Sequence, residues 1–266
     1  MYHTAAVPKI LLLGGTGEGS ALLRVLQERF NTQLQVIMSL ANVKAALPQQ
    51  AYGAWRTGPF GTVEDVIAYL REQRITAVLS ATHPFAATIA YNVSLACKIY
   101  GVLHLTLRRP PWICTDEDNW IEVGDMAEAV RKLPRIGKRA FLTIGTKSLS
   151  PFLTLKNIWF LIRLPLATVL PFTRNMPHHQ IVFGRGQENN DLLLMQTHAI
   201  DVLVTKASGG DATKNKILAA RTLSLPVLMI RRPSVPESDL TVFSVTEAVA
   251  WVDSIIYQLR LRNNTP

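Results

Sequence analysis

Residues 201–233 read DVLVTKASGGDATKNKILAARTLSLPVLMIRRP, and this stretch gives the clearest indication of the fold class. The apolar and β-branched run at 201–205 predicts a buried parallel strand, and the run at 226–230 predicts another. Between them an apolar stripe, with Asp211 as its N-cap, predicts a helix that ends near Leu223. Strand, helix and strand make one βαβ unit, so the sequence predicts a parallel sheet covered by helices.

The loop between this strand and this helix carries charge and flexible backbone. Lys206 lies at the carboxyl end of the predicted strand, and Ser208, Gly209 and Gly210 follow it. Glycines take positive φ readily and can turn backbone N–H groups towards a ligand. Ligands of open α/β sheets bind at the carboxyl ends of strands. The pattern indicates an anion or phosphate site, with an ordinary tight turn beside a solvated lysine as the alternative.

A second glycine-rich turn follows the first predicted strand, Lys9–Leu13. Residues 14–20 read GGTGEGS and contain the dinucleotide fingerprint as Gly15-x-Gly17-x-x-Ser20, with serine in the last small position. Such glycines allow a sharp turn and the close approach of a pyrophosphate to a helix N-terminus. A glycine-rich turn without a ligand is the alternative. The residues expected to hold cofactor phosphates through backbone N–H groups are Gly15, Thr16, Gly17 and Glu18.

The end of the second predicted strand, 34–38, favours NADP(H) over NAD. NAD-specific folds usually place an acidic residue about 20 residues after the fingerprint, where it binds the ribose 2′-hydroxyl. This strand instead runs on to Ser39 and Lys44 without a carboxylate. Hydroxyl and ammonium groups suit a 2′-phosphate, so we expect NADPH as the cofactor, with Ser39 and Lys44 near its 2′-phosphate.

Three further loops follow predicted strands at the same kind of edge. Thr82 and His83 come after the strand at 75–79, and we expect both to line the site beside the nicotinamide. A lone loop histidine is more often a structural hydrogen bonder, so this alternative stays open. Lys147 follows a strand at 139–144, and Arg185 lies in the GRGQ segment at 184–187.

Composition limits the class of protein. With 266 residues and 48% hydrophobic residues, the chain is long enough for two α/β domains. No apolar run approaches the roughly 20 residues of a membrane helix, and the segment at 158–172 is interrupted by Arg163 and two prolines. Cys97 and Cys114 have neither metal-site spacing nor a disulfide framework. We expect a cytoplasmic protein without a metal site and without membrane contact.

Charge is spread unevenly along the chain. Residues 1–130 hold 10 Lys/Arg and 11 Asp/Glu, whereas residues 131–266 hold 18 and 8. The second half, with a net charge of +10, is expected to face something anionic. Its basic residues form no dense run and are not interleaved with aromatic residues, so a small polyanion is preferred and no nucleic-acid partner is expected.

The acidic and irregular segment at 113–128 is the predicted domain boundary. We expect residues 1–125 to form an NADPH-binding Rossmann-like domain and residues 126–266 a second, basic, substrate-facing one. The predicted class is α/β, with two doubly wound parallel-sheet domains and a cleft between them. The amphipathic C-terminal helix at 245–261 is a candidate to pack across the boundary.

With these motifs in order, the chain resembles the precorrin-6A reductase and cobalt-precorrin-6A reductase family of corrin biosynthesis. The resemblance covers nearly the whole chain, and the block at 204–233 is its most specific part. Ser80 departs from the pattern, since the family commonly has aspartate before Ala-Thr-His-Pro, and the loop at 57–62 is poorer in glycine than usual. The motifs that carry the resemblance are ILLLGGTGEGSALL at 10–23, ATHPFA at 81–86, LRRPPW at 107–112, LTIGTKSL at 142–149, GRGQ at 184–187 and VTKASGGDATKNKILAARTLSLPVLMIRRP at 204–233.

The resemblance implies hydride transfer from NADPH to one carbon–carbon double bond of a polycarboxylate tetrapyrrole, with protonation of the neighbouring carbon. The proton could come from His83, Lys206 or water, and the sequence does not choose among them. Hand-over contacts with neighbouring pathway enzymes are also expected. A non-catalytic NADP(H)-binding sensor and a nucleic-acid binder are the alternatives from other classes. The residues expected to bind substrate carboxylates are Lys147, Arg185, Ser208, Gly209 and Gly210.

Overall fold

The computed structural model describes residues 7–41, 54–164, 178–184 and 190–263. The chain divides into two compact units, one made of residues 1–109 and 234–266 and the other of residues 110–233. Each unit contains one six-stranded sheet in which every strand pairing is parallel. The predicted α/β class with two doubly wound sheets is therefore confirmed.

The first unit contains six strands and four α-helices among the described residues. Its elements are β1 (Lys9–Leu13), α1 (Gly17–Phe30), β2 (Gln35–Leu40), β3 (Ala54–Thr57), α2 (Val63–Glu72), β4 (Ala77–Ser80), α3 (Ala87–Tyr100), β5 (Leu103–Leu107), β12 (Leu240–Val242) and α7 (Val245–Asn263). The strand order in the sheet is β12-β5-β4-β1-β2-β3. Helices α1 and α7 cover one face of this sheet, and α2 and α3 cover the other.

The elements of the second unit are β6 (Asn119–Val123), α4 (Met126–Ile136), β7 (Arg139–Leu142), β8 (Trp159–Leu164), β9 (His179–Phe183), α5 (Asp191–Thr197), β10 (Val202–Lys206), α6 (Asn215–Thr222) and β11 (Pro226–Ile230). The strand order in the sheet is β6-β11-β10-β7-β8-β9, so its central strand β7 has the same pattern of neighbours as β1. Two stretches of 3-10 helix, Thr146–Ser148 and Ser150–Thr154, replace an α-helix between β7 and β8.

The central strands are apolar along their length because both faces of each sheet are covered. In β1, Ile10 and Leu12 belong to the cluster that includes residues of α1 and α7. Leu11 and Leu13 point to the other face and join the cluster of α2 and α3. This alternation follows from the two-residue period of a strand, and it explains why residues 10–13 of β1 are all apolar.

The units do not follow the predicted boundary at 125/126. Strand β6 (Asn119–Val123) pairs with β11 in the second sheet. The segment at 113–128, which was predicted to be irregular, therefore contains a strand of that sheet. Strand β12 (Leu240–Val242) pairs with β5, which returns the chain to the first sheet. Helix α7 packs in the core of the first unit. Pairing between strands that are far apart in the sequence determines which unit β6 and β12 belong to. The local sequence pattern does not show this pairing.

The new division also changes the charge argument. The second unit holds 16 Lys/Arg and 10 Asp/Glu, a net charge of +6, because it includes the acidic segment that begins at 113. The first unit holds 12 and 9, a net charge of +3. The contrast between −1 and +10 belongs to residues 1–130 and 131–266, and these ranges do not coincide with the two units. Individual cations at a site carry more information here than the bulk charge.

Two local predictions need correction. Helix α1 begins at Gly17, so the last part of the glycine-rich segment predicted as a turn at 14–20 forms the first turn of the helix. Asp211 does not cap α6: it lies in a 3-10 turn, Asp211–Thr213, and α6 begins at Asn215 without a side-chain cap.

A search of the described residues for long apolar helices found none that could cross a membrane.

Candidate active site

The first sheet reverses its strand order between β1 and β4. Strand β2 lies on one side of β1 and β4 on the other, so the loops that follow β1 and β4 diverge at the carboxyl edge. Ligands of open α/β sheets bind at such a switch point. The structure places both predicted loops here, Gly14–Gly19 after β1 and Ala81–Phe85 after β4.

Thr16 connects these two loops. Its Oγ1 accepts a hydrogen bond from the Gly19 N–H at 3.1 Å, which caps α1, and donates one to the Ala81 carbonyl at 2.7 Å. One hydroxyl thus fixes the start of the helix relative to the end of β4. The dipole and the first N–H groups of α1 are consequently held at the switch point.

The glycines of this turn fit a dinucleotide. Gly15 has φ +107°, and a side chain added at Gly15 or Gly17 would meet no atom within 4 Å, so the backbone there is open to a ligand. Gly19 instead packs closely, since an added Cβ would lie 3.3 Å from Ala81 Cβ. Gly19 therefore fills the role of the last small residue that the fingerprint gave to Ser20, whose side chain is exposed.

Glu18 lies in the first turn of α1 and is paired with Arg109, which follows β5. The Arg109 Nε and Nη2 groups donate to the two carboxylate oxygens of Glu18 at 2.6 and 2.8 Å. Burial acts to raise the pKa of Glu18, but the hydrogen bond and charge of Arg109 outweigh it and hold that pKa below its usual value. Arg109 thereby neutralises a carboxylate beside the expected phosphate position.

The far side of β1 contains Ser39, near the end of β2. Its side chain is buried, and its carbonyl accepts a hydrogen bond from the Gly14 N–H at 3.0 Å. The Ser39 hydroxyl accepts a hydrogen bond from Arg56 Nη1 at 3.3 Å, because Arg56 is its register partner on β3. Lys44, predicted beside Ser39, lies outside the described residues.

Thr82 and His83 follow β4, as predicted, and both are partly exposed. His83 Nδ1 accepts a hydrogen bond from the Phe85 N–H at 3.1 Å. A neutral ring in this arrangement carries its proton on Nε2, a tautomer assigned from the hydrogen bond. His83 is therefore held with an N–H donor on Nε2.

The second sheet has its own switch point between β7 and β10. Gly145 follows β7 with φ +77°, and the exposed Lys147 lies in the 3-10 turn after it. Lys206 is the last residue of β10, and burial lowers the pKa of its ammonium group. A lysine whose pKa is lowered is a better proton donor or acceptor near neutral pH.

The loop of Ser208, Gly209 and Gly210 is held by the protein itself. Arg232 donates to the carbonyls of Ala207 and Ser208 at 2.8 and 3.1 Å. The Ser208 N–H bonds the Lys206 carbonyl, and the Gly210 N–H bonds the Pro110 carbonyl at 3.2 Å.

The N–H groups of Ser208 and Gly210 are thus bonded within the protein, and the binding of substrate carboxylates by this loop stays a prediction. A side chain at Gly209 would collide with the Pro110 carbonyl and Arg232, so that glycine permits close packing.

A buried ion pair lies near the end of β8. Arg163 bonds Asp191 at the start of α5, and both side chains are buried. Burial raises the pKa of Asp191 against the opposing effects of Arg163 and Lys216. The predicted residue Arg185 lies outside the described residues. A search of the described residues for clusters of three or more possible metal ligands found none.

Sequence reasoning missed three arginines that organise these loops, namely Arg56, Arg109 and Arg232. Arg109 and Arg232 occur in short Arg-Arg-Pro segments after β5 and β11, which is the one local signal they offered. Their partners Glu18 and Ser208 lie 91 and 24 residues away, so only the fold brings them together.

Fold and site together define a Rossmann-like α/β protein whose first switch point fits a dinucleotide. The family model described as "Precorrin-6x reductase CbiJ/CobK" matches residues 9–253. The chain belongs to this family, and it is accordingly an oxidoreductase of cobalamin biosynthesis.

Individual relatives agree with this assignment. The chain is 40% identical over 249 residues to the precorrin-6A reductase of Rhodococcus erythropolis, covering 93% of this chain and 98% of the relative. It is 27% identical to the cobalt-precorrin-6A reductase of Salmonella typhimurium, covering 85% and 88%. A solved structure titled "CobK precorrin-6A reductase" superposes with a TM-score of 0.82 at 33% identity, covering 93% of this chain and 97% of that one.

Proposed function

We propose that this protein uses NADPH to reduce one carbon–carbon double bond of precorrin-6A, giving the 6B dihydro form. The observation that carries the proposal is the Thr16 hydroxyl, which fixes the N-terminus of α1 at the first switch point of a family reductase. Family membership supports the reductase reaction, and the geometry of the glycine-rich turn supports a dinucleotide.

The first unit supplies the groups for the cofactor. Backbone N–H groups of Gly15, Thr16, Gly17 and Glu18 bind its phosphates, and Arg109 keeps the Glu18 carboxylate from repelling them. Bound NADPH supplies a hydride. Thr82 and His83 line the nicotinamide position, where the Nε2–H of His83 donates a hydrogen bond.

The second unit supplies cations for the substrate. Lys147 binds a substrate carboxylate from its exposed position after β7, and Ser208 shapes the neighbouring loop. Arg185 is retained as a further candidate for carboxylate binding. Fixed cations contribute by orienting the substrate, which is worth several kcal/mol in well-oriented reactions (about 7–11 at the extreme).

Lys206 is the proposed proton donor. Reduction of a carbon–carbon double bond needs a hydride on one carbon and a proton on its neighbour. The Lys206 pKa is lowered by burial, so its ammonium group releases a proton more easily than an exposed lysine. His83 stays the second candidate for this step.

The comparisons also support a choice of substrate. Five relatives named precorrin-6A reductase are 35–40% identical to this chain, whereas three named cobalt-precorrin-6A reductase are 27–29% identical. We therefore propose the metal-free tetrapyrrole as the preferred substrate.

The test is NADPH consumption, followed by absorbance, with metal-free and cobalt-bearing precorrin-6A offered separately and NADH as the control. Oxidation of NADPH that depends on the metal-free tetrapyrrole is the expected result. NADPH binding without oxidation in the presence of either tetrapyrrole would contradict the proposal and indicate a non-catalytic binder.

A further inference from the structure

Arg56 has a fixed position beside the end of β2. It is the register partner of Ser39, and its Nη1 donates to the Ser39 hydroxyl at 3.3 Å. In dinucleotide-binding folds the residue at the end of β2 contacts the adenosine ribose, and a nearby arginine accommodates the 2′-phosphate of NADP. The fold thus brings an arginine to this position from the neighbouring strand β3.

The guanidinium group of Arg56 is held in one orientation by its surroundings. The Cζ atom of Arg56 lies 3.5 Å from the centroid of the Phe60 ring and 5.3 Å from the centroid of the Tyr69 ring. Its Nη1 and Nη2 groups also donate to the carbonyls of Gly58 and Pro59, at 2.5 and 3.1 Å. A stacked and hydrogen-bonded guanidinium loses little side-chain freedom when it binds an anion.

Arg56 keeps donors for a ligand. Three of its five N–H groups bond Ser39, Gly58 and Pro59, which leaves two without a partner among the described residues. Strand β2 carries no carboxylate that would favour a bare ribose hydroxyl. The side chain is partly exposed, so a ligand can reach it.

We propose that Arg56 recognises the 2′-phosphate of NADPH and sets the preference of this enzyme for NADPH over NADH. Arginine and phosphate form paired, charge-assisted hydrogen bonds, which a ribose hydroxyl cannot replace. The inference deepens the proposed function and rests on its choice of cofactor. A purely structural role for Arg56, as a brace for the turn at 58–60, is the competing explanation.

The test compares Arg56→Gln with the parent protein in two assays. Arg56→Gln is expected to raise the KM for NADPH by about ten- to a hundredfold and to leave the KM for NADH within about twofold. Titration with adenosine 2′,5′-bisphosphate should show the same loss of affinity, while binding of 5′-AMP is unchanged. Arg71→Gln is the matched control, because Arg71 also lies over a tyrosine ring in the first unit.

The outcomes separate the two claims. An equal rise in the KM values for NADPH and NADH in Arg56→Gln would show that Arg56 only braces the turn. An equal loss of affinity for adenosine 2′,5′-bisphosphate and 5′-AMP would show the same. An unchanged preference in Arg56→Gln would overturn the inference and leave the NADPH-dependent reductase standing. If the parent protein binds adenosine 2′,5′-bisphosphate but does not reduce the tetrapyrrole, loss of that binding in Arg56→Gln would support the inference while the proposed function fails. Should Arg56→Gln not fold, Arg56→Lys keeps the charge and is expected to show an intermediate preference.

Discussion

In the first unit, β1 leads through Gly15 and Thr16 directly into a helix of 14 residues. In the second unit, β7 leads through Gly145 and Thr146 into short 3-10 turns. Strand order and the positive φ of the glycine are the same in both, yet only the first turn ends at an α-helix N-terminus. A helix dipole favours a diphosphate, whereas the second turn offers a lysine, Lys147.

The loops that follow β4 in the first unit and β10 in the second also differ in how their backbone groups are bonded. After β4, His83 accepts a hydrogen bond from the Phe85 N–H and is partly exposed. After β10, Arg232 and Pro110 occupy the backbone groups of the Ser208–Gly210 loop. The same strand order therefore supports a turn with open backbone in the first unit and a loop held by internal hydrogen bonds in the second.

Lys206 is expected to produce the largest effect on activity. Lys206→Met removes the proposed proton donor, so turnover should fall about a hundredfold or more. The matched control is Lys138→Met, at the amino edge of the same sheet, which should keep parental turnover. Parental turnover in Lys206→Met, measured as NADPH consumption with precorrin-6A, would remove Lys206 from the mechanism.

The same substitution has a defined effect on stability. Burial lowers the folded-state pKa of Lys206, so its charge costs stability below that pKa, and the cost disappears as the pH rises to the unfolded value of 10.5. Lys206→Met should therefore be at least as stable as the parent at pH 7. Its advantage in urea unfolding should shrink towards pH 10.5, and a widening gap would contradict the assignment.

Gly209 tests whether the second loop is braced. Gly209→Ala should lower the free energy of unfolding by about 3–4 kcal/mol, since it combines a positive φ with a collision against Pro110 and Arg232. Gly145→Ala has a positive φ but open space, so it should cost only about 1 kcal/mol. Equal losses in urea unfolding would show that the loop around Gly209 is not closely packed.

Gly17→Ala is the counterpart in the first unit. No atom lies within 4 Å of an added Cβ, and Gly17 is already helical. Stability should be unchanged within about 0.5 kcal/mol or slightly improved, while NADPH affinity falls because the added methyl group occupies the phosphate approach. Unchanged NADPH affinity in a fluorescence titration would contradict the open-backbone site.

Acid is expected to affect the first unit more than the second. His104 on β5 is buried beside Ser80, and burial lowers its pKa from 6.5 to about 4. Between these values the unfolded chain binds the proton and the folded chain does not, so stability falls as the pH drops below 6.5. At pH 5 the loss is about 2 kcal/mol relative to pH 7.

The second unit contains a carboxyl group, Asp191, whose protonation changes stability in the opposite direction to that of His104. Burial raises the pKa of Asp191, so protonation of that carboxyl relieves a cost as the pH falls. His104→Gln, compared with the parent by urea unfolding at pH 7 and pH 5, should lose about 2 kcal/mol less over this range. The same loss in both proteins would rule out His104 as the acid-sensitive group.

The sequence predicted those strands and turns that depend only on a local pattern of residues. The runs Lys9–Leu13 and Pro226–Ile230 were placed correctly because a strand covered on both faces is apolar throughout. The glycine turn after β1 was recognised from spacing. The short strands β3 (Ala54–Thr57) and β6 (Asn119–Val123) were missed, since edge strands of mixed polarity resemble loops.

Features that depend on residues far apart in the sequence could not be predicted from local patterns. The pairing of β12 with β5 decides the unit boundary, and no local pattern near Leu240 shows it. Arg56 directly precedes the loop at 57–62 in the sequence, and only the strand register places it beside Ser39. Asp211 has good N-cap chemistry, but the 3-10 turn that follows Gly210 displaces the helix start to Asn215.

Hydrogen–deuterium exchange with and without NADPH tests the central contrast between the two switch points most directly. We predict that NADPH slows exchange at 14–20, 39–41 and 81–86 in the first unit. Exchange at 143–149 and 206–213 in the second unit should not change when no tetrapyrrole is present. Protection confined to the second unit, or equal in both, would contradict the assignment of the cofactor to the helix N-terminus after β1.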